Sequence, residues 1–251
     1  MESEKSQDWE SLFGSDDDTF VNEYGSRDEY EEDLVSSFFT DSSDDDLESF
    51  DSVLTSVDQQ SSQNDTKKGW TQISPSEIPG LTYIPNVLPP SVQDELIQCL
   101  PDGILDRSTG RQAHLYRPFA PVLQNLMQNF IPSAFKKQVW EGKDAEAIIM
   151  QVYNPGDGII PHVDLPMFDD GIVIFSLLSD ITMEFTQPSS KRKASVLLEK
   201  GSLTIMEGEA RYQWLHGIPF RTGDWTNGTW IPRAQRCSIT MRRIGLNKMF
   251  G

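Results

Sequence analysis

The sequence predicts an α+β fold, a closed or double-layered β-sheet with helices packed outside it, preceded by an acidic tail. Two helix-length amphipathic stretches come first, six short apolar runs separated by Gly-, Pro- and Asp-rich turns follow them, and the acidic excess is confined to the N-terminal quarter.

The chain has 251 residues and a formal charge of −18, room for one large domain or one domain with a tail. Residues 1–66 contain 21 acidic and 2 basic residues, a balance of −19, whereas residues 67–251 contain 18 and 19, a balance of +1. Segments such as "SDDDTF", "EYEEDL" and "SSDDDLESF" have too little apolar periodicity to offset the entropy of ordering, so residues 1–66 read as a disordered acidic tail. Phe13, Phe20, Phe38, Phe39 and Phe50 punctuate its acid runs. They suit short segments that fold on a protein partner or mimic nucleic-acid charge; a solvating tail is the plainer role. Once that charge is set apart, residues 67–251 are free to present a locally positive groove to nucleic acid. The two cysteines, Cys99 and Cys237, are too few for a cysteine-built zinc site or a disulfide framework and point to a reducing compartment. No apolar run is long enough to span a bilayer, and the acidic N-terminus does not resemble a targeting peptide. The expectation is a protein of the cytoplasm or nucleus with no membrane partner.

The elements follow in order from residue 67. "GLTYIPNVL" is strand-like; "PPSVQDELIQCLP" combines proline near a helix start with apolar spacing at Val92, Leu96 and Leu100. "PVLQNLMQNFIPSAF" predicts a second helix, ended by its second proline, Pro132. "AIIMQVY", "IVIFSLL", "ITMEF", "ASVLLE", "GSLTIME" and "QRCSITMRRI" then read as strands, with "QPSSKRKAS" as a hairpin connection exposing Lys191, Arg192 and Lys193.

Three histidines occur in the chain: His114, His162 and His216. His162 and Asp164, two apart in "PHVD", share a face if the segment is extended, and His216 in "YQWLHGIPF" is placed to bring a third ligand from another strand. Two imidazoles and one carboxylate form the facial set of non-haem Fe(II) oxygenases, which leaves coordination positions for a bidentate cosubstrate and O2. Spacing alone is weak evidence, since such a pair beside a turn is a common surface pattern. In "RCSITMRRI", Arg236, Ser238, Thr240 and Arg242 alternate with Cys237, Ile239 and Met241, so one strand face carries two guanidiniums. Buried arginines need anionic partners, and a dicarboxylate matches their planar forks. Gln151 and Tyr153 share a face of "MQVYNPG", just before the His–Asp pair.

With these residues in hand, the segment from about Ala147 to Ile244 resembles the AlkB family of Fe(II)- and 2-oxoglutarate-dependent dioxygenases. The family's HxD matches His162-Val163-Asp164, its distal ligand matches His216, and its terminal RxxxTxR matches Arg236, Thr240 and Arg242. The resemblance implies a double-stranded β-helix (jelly-roll) core. It also implies iron on His162, Asp164 and His216, and 2-oxoglutarate held by Arg236, Thr240, Arg242, Tyr153 and Gln151. Gln151 departs from the pattern, which often has Asn there. Arg111, His114 and Tyr116 in "GRQAHLYRPF" lie in the region similar to the family's nucleotide-recognition lid, and are the expected substrate contacts. DNA or RNA is the expected substrate, through dealkylation of a base or hydroxylation of a modified transfer-RNA uridine. Alternatives are a protein-directed dioxygenase and a catalytically weak adaptor. Arg211, Trp214 and Trp225 stand near the distal histidine; Trp214 reads as packing.

Overall fold

The computed structural model describes residues 71–226 and 228–245. The predicted acidic tail, residues 1–66, lies outside them. Strands β1 (Thr71–Gln72), β2 (Leu81–Ile84), β3 (Gln112–Tyr116), β4 (Ala147–Tyr153), β5 (Ile159–His162), β6 (Ile172–Leu177) and β7 (Ile181–Gln187) come first. After them come β8 (Arg192–Leu198), β9 (Leu203–Met206), β10 (Leu215–Ile218), β11 (Gly223–Thr226), β12 (Thr229–Pro232) and β13 (Arg236–Arg242). Four α-helices accompany them among the described residues: α1 (Pro90–Gln98), α2 (Pro121–Asn129), α3 (Ser133–Gln138) and α4 (Gly208–Tyr212).

The α+β class holds, but the expected jelly-roll core does not. The strands form three separate open sheets: six strands in the order β2-β9-β6-β13-β4-β3, five in the order β1-β8-β7-β10-β5, and the β11-β12 hairpin. No sheet closes on itself. Closure requires edge strands to hydrogen-bond to one another, and here the edges are the two-residue β1, the short β5, β2 and the polar β3. Burial is achieved by stacking instead. Ile174 and Met206 of the six-stranded sheet share one apolar cluster with Phe185, Val196 and Leu198 of the five-stranded sheet.

The opposite face of the six-stranded sheet is covered by helices. Alternation along β13 sends Cys237, Ile239 and Met241 into the cluster that also contains Leu96, Leu126 and Trp140. Helices α1 and α2 each begin with proline at the first helical position, where its fixed φ and missing N–H cost nothing. Leu123, Leu126 and Met127 recur at helical spacing and form the buried stripe of α2. Pro132 does end the second helical stretch, as expected, but a short helix that the sequence reading did not separate, α3, follows at once. Gly171 adopts φ 85°, and a Cβ there would stand 2.7–2.8 Å from Phe135, Trp140 and Val139. Only glycine lets the chain enter β6 under that helix, where Trp140 Nε1 donates to the Gly171 carbonyl. The basic "SKRK" connection is shorter than expected: a turn at Pro188–Ser190 and the left-handed Lys191 join β7 to β8, and Arg192 and Lys193 belong to β8. Both cysteines are free. Among the described residues no helix is long and apolar enough to cross a membrane.

Candidate active site

Between the two large sheets, the six-stranded sheet presents its polar rows. The register pairs Arg236 with Tyr153, Ser238 with Gln151 and Ser176, Thr240 with Ile149 and Ile174, and Arg242 with Ala147. Directly paired residues point to one side, so the alternation read from "RCSITMR" places Arg236 and Arg242 on the inter-sheet face with Tyr153 and Gln151. β3 extends this face: Gln112, His114 and Tyr116 pair with Gln151, Ile149 and Ala147.

The five-stranded sheet supplies the histidines. His216 of β10 pairs directly with His162 at the end of β5, and the imidazole centroids are 4.5 Å apart. Gly217 permits this approach, because a Cβ there would stand 2.9 Å from the Ile159 carbonyl oxygen and the Pro161 nitrogen. Asp164 follows two residues after His162, and its Oδ1 lies 3.6 Å from Nε2 of each imidazole. Donors about 2.1 Å from one ion and at right angles would be roughly 3 Å apart, so the three atoms fit a face of a metal's coordination sphere with little adjustment. His162 Nδ1 lies 2.9 Å from the Ile160 carbonyl. With its proton donated there, Nε2 keeps its lone pair for a metal.

Charge is arranged to keep Asp164 ionised. Its carboxyl is buried, which by itself would raise its pKa, but the Arg242 guanidinium and the two imidazoles outweigh burial and hold it well below the usual carboxylate range. Arg242 Nε donates to Asp164 Oδ2 at 2.6 Å, leaving Oδ1 toward the histidines. Burial, reinforced by His162, pushes His216 down to about 4, so that imidazole is neutral and able to ligate at neutral pH.

The β13 side of the gap carries unsatisfied polarity. Arg236 is 1% exposed; it donates through NH2 to Ser176 Oγ at 3.0 Å and lies over the Tyr153 ring, 5.4 Å from its centroid. Its Nε is buried without a partner, and among the described residues no carboxylate pairs with it. Gln151 Nε2 and Arg242 NH1 are likewise buried without hydrogen-bond partners. Orphaned buried donors of this kind are costly. Two guanidiniums and an amide facing the same gap fit an anionic, oxygen-rich ligand, as 2-oxoglutarate is. Thr240 is buried on the same face.

The sequence of this arrangement has relatives. The profile of the 2OG-Fe(II) oxygenase superfamily matches residues 101–242, which include all three ligands and both arginines. The chain belongs to this superfamily. Within it the AlkB resemblance stands, and the superfamily together with the His-Asp-His triad assigns Fe(II) and 2-oxoglutarate to the site. Uncharacterized protein L905 of Acanthamoeba polyphaga mimivirus is 40% identical over 102 residues, 39% of this chain and 48% of that protein. The tRNA (carboxymethyluridine(34)-5-O)-methyltransferase ALKBH8 of Macaca fascicularis is 36% identical over 145 residues, 51% of this chain and 22% of the relative. The probable RNA/DNA demethylase ALKBH6 of Danio rerio is 26% identical over 128 residues, 41% of this chain and 55% of the relative. The chain therefore spans about half the length of these curated relatives, or less.

The expected substrate contacts occupy an edge strand. His114 and Tyr116 lie in β3 and Arg111 immediately before it, where its carbonyl accepts from Val152 N at 2.8 Å. His114 is exposed at the residue level and 3.0 Å from Gln112 Nε2, and burial of its ring and then Arg242 lower its pKa. Burial raises Tyr116 against the pull of Arg242. Both therefore sit within the electrostatic reach of the Asp164–Arg242 pair. Trp214 is wholly buried and donates to Glu209, as packing requires, while Trp225 is exposed in the β11-β12 hairpin, 5.6 Å from Trp230. Two side chains gained roles that the sequence did not assign. Ser176 anchors Arg236, and Arg211 bonds the chain around Asp164. Ser176 was discoverable as the polar interruption in the apolar run "IVIFSLL"; Arg211 was marked only by its nearness to His216 in sequence, which names no partner.

Proposed function

We propose that this domain is an Fe(II)- and 2-oxoglutarate-dependent dioxygenase that oxidises a modified base in nucleic acid. The observation that carries the reading is the buried Arg236 without an anionic partner, set with Tyr153 and the orphaned Gln151 amide beside a His-Asp-His cluster. His162, Asp164 and His216 would hold the metal; Arg236, Tyr153, Gln151, Thr240 and Arg242 would receive 2-oxoglutarate. When bound, these groups supply O2-dependent oxidation of a substrate C–H bond, with 2-oxoglutarate leaving as succinate and carbon dioxide. The chain's own contribution is placement. Arg242 keeps Asp164 charged and pointed at the histidines, and burial between two sheets keeps water from competing for the guanidiniums.

A nucleic-acid base is favoured as substrate by the names of the relatives, one a tRNA methyltransferase and one a probable RNA/DNA demethylase. The edge strand beside the metal cluster also carries a phenol, an imidazole and a nearby guanidinium, groups that can stack on or hydrogen-bond a displaced nucleobase. We also propose a site of action in the cytoplasm or nucleus and a protein partner for the acidic tail, on the sequence alone. Succinate release should be measured with panels of methylated DNA and RNA oligonucleotides, modified transfer RNAs and peptides. Turnover confined to nucleic acid is expected; turnover only with peptides would refute the substrate assignment.

A further inference from the structure

Arg211 is 1% exposed, as deeply buried as Arg236, yet it belongs to neither the metal ligands nor the cosubstrate face. It sits in the five-residue helix α4, five positions before the ligand His216. Its guanidinium is used on backbone. NH1 donates to the carbonyl of Asp164 at 3.0 Å, while NH2 donates to the carbonyls of Leu165 at 2.9 Å and Phe168 at 3.3 Å. The ring of Tyr212 lies under the guanidinium, 4.8 Å from centroid to Cζ. One fork thus grips both ends of "DLPMF", the segment that starts at a metal ligand and ends at a residue on the rim.

The far end of that segment is tied back to the same carboxylate. Arg242 lies over the Phe168 ring, 5.0 Å from its centroid, while its Nε holds Asp164 Oδ2. Phe168 also bridges to Ile244, and Gly245 N donates to the Met167 carbonyl at 2.8 Å. The segment contains a proline and belongs to no strand; beyond one internal turn bond, Phe168 N to the Leu165 carbonyl at 3.1 Å, it is held by these outside contacts. A buried cation that spends its donors on carbonyls is an expensive way to close a loop. Such an expense is understandable where ligand geometry depends on the loop, because partners that orient ligands contribute substantially to metal affinity.

We infer that Arg211 is a positioning residue, which fixes the Asp164–Phe168 segment so that the Asp164 carboxylate and the Phe168 rim are set together. Arg211 touches neither the metal nor the cosubstrate; it acts through the backbone of Asp164. The inference rests on the metal-site reading above and adds a second residue, beside Arg242, that positions Asp164.

The test uses the full chain with Arg211→Met and Arg211→Lys. Lysine keeps a cation that can reach one carbonyl, whereas methionine keeps only the stem. Arg117→Met is the control, because Arg117 also clamps carbonyls, of Asp144 and Ala145, neither of which belongs to the triad or to the Asp164–Phe168 segment. Fe(II) affinity is measured anaerobically without cosubstrate, 2-oxoglutarate affinity is measured on the metal-loaded protein, and folding is followed by thermal unfolding. Arg211→Met should weaken Fe(II) binding by about tenfold or more. Arg211→Lys should fall between it and wild type, and Arg117→Met should lower the unfolding temperature without changing Fe(II) affinity. If Arg211→Met does not fold, the lysine variant carries the test. Folded Arg211 variants with wild-type Fe(II) affinity overturn the inference, as does an equal loss in Arg117→Met. Failure of the wild type itself to bind Fe(II) would overturn the metal site and this inference with it, and so is distinguishable from failure of the variants alone.

Discussion

Replacing Arg236 with methionine should affect two quantities very differently. Without cosubstrate, the guanidinium is buried, bonded to Ser176 and left with an orphaned Nε. Methionine removes a cation that no carboxylate offsets and fills much of its volume with apolar atoms. Exchanges of buried ionic groups for apolar ones are often neutral or stabilising, by about 1–4 kcal/mol. The lost Ser176 bond costs about 1 kcal/mol, so stability without ligand should lie between about 1 kcal/mol below and about 3 kcal/mol above wild type. With 2-oxoglutarate the change is a loss. Truncating one partner of a desolvated, hydrogen-bonded charge pair costs about 2–5 kcal/mol, which at about 1.4 kcal/mol per decade is a loss of roughly 30-fold to several thousandfold in affinity. Urea unfolding without ligand gives the first quantity. Calorimetric titration of 2-oxoglutarate into the Mn(II)-loaded protein, which avoids turnover, gives the second. A concentration near 100 times the wild-type Kd should add about 2.7 kcal/mol to the wild type and little to the variant. A variant destabilised by about 2 kcal/mol or more that still binds 2-oxoglutarate like wild type would refute the reasoning, since Arg236 would then be a structural cation.

Other expectations follow from the same geometry. His162→Ala and Asp164→Ala should each abolish succinate formation coupled to substrate oxidation; purified variants that retain it would exclude the proposed ligands. Asp224, which accepts from both Arg233 and Arg221, should when changed to Asn cost about 3–5 kcal/mol at neutral pH, because Arg233 is buried and loses its carboxylate. Burial raises the Asp224 pKa, but Arg233 and Arg221 outweigh it and lower the folded value. Its contribution is therefore present above the unfolded pKa of about 3.9 and lost as pH falls through the folded value. The gap between wild type and Asp224→Asn should close below about pH 4, and a gap constant down to pH 3 would contradict this. Tyr116→Ala and His114→Ala should raise KM for a nucleic-acid substrate by about tenfold, from a lost stacking or hydrogen-bonding contact, while leaving 2-oxoglutarate affinity intact; unchanged KM in both would remove β3 from the substrate surface. Residues 67–251 should bind RNA or DNA more tightly than the full chain, with the difference shrinking as salt rises, if the acidic tail competes for the same surface. Equal affinities at every salt concentration would exclude that competition.

The legibility of the site in the sequence varied with the kind of contact involved. Arg236 and Arg242 were legible because strand alternation is a two-residue period that survives any sheet topology; whichever strands flank β13, those arginines share a face. The pairing itself was not legible. Which strands become edges depends on long-range register, and the expected jelly-roll gave way to open, stacked sheets ending in β3 and β5. β3 was missed as a strand although "QAHLY" alternates polar and apolar, because its polar face is made of groups that also suit a recognition loop. The five-residue α4 is too short to show periodicity. Arg211 was the least legible residue, since its partners are carbonyl oxygens, which every residue carries and no sequence pattern marks.

This division bears on where chemistry and selectivity reside. The groups that fit the cosubstrate lie on β4 and β13, interior strands of the six-stranded sheet, where a change of one position would move a charged side chain into an apolar core. Tyr116 and His114 lie on an edge strand, and Phe168 on a loop pinned by Arg211 and Arg242, positions at which side chains can change without disturbing the register of β4 and β13. The arginine row is therefore constrained by folding as well as by function. On the proposed reading, choice of substrate is left to residues that folding constrains least, which is why the cofactors could be read from the sequence far more sharply than the substrate.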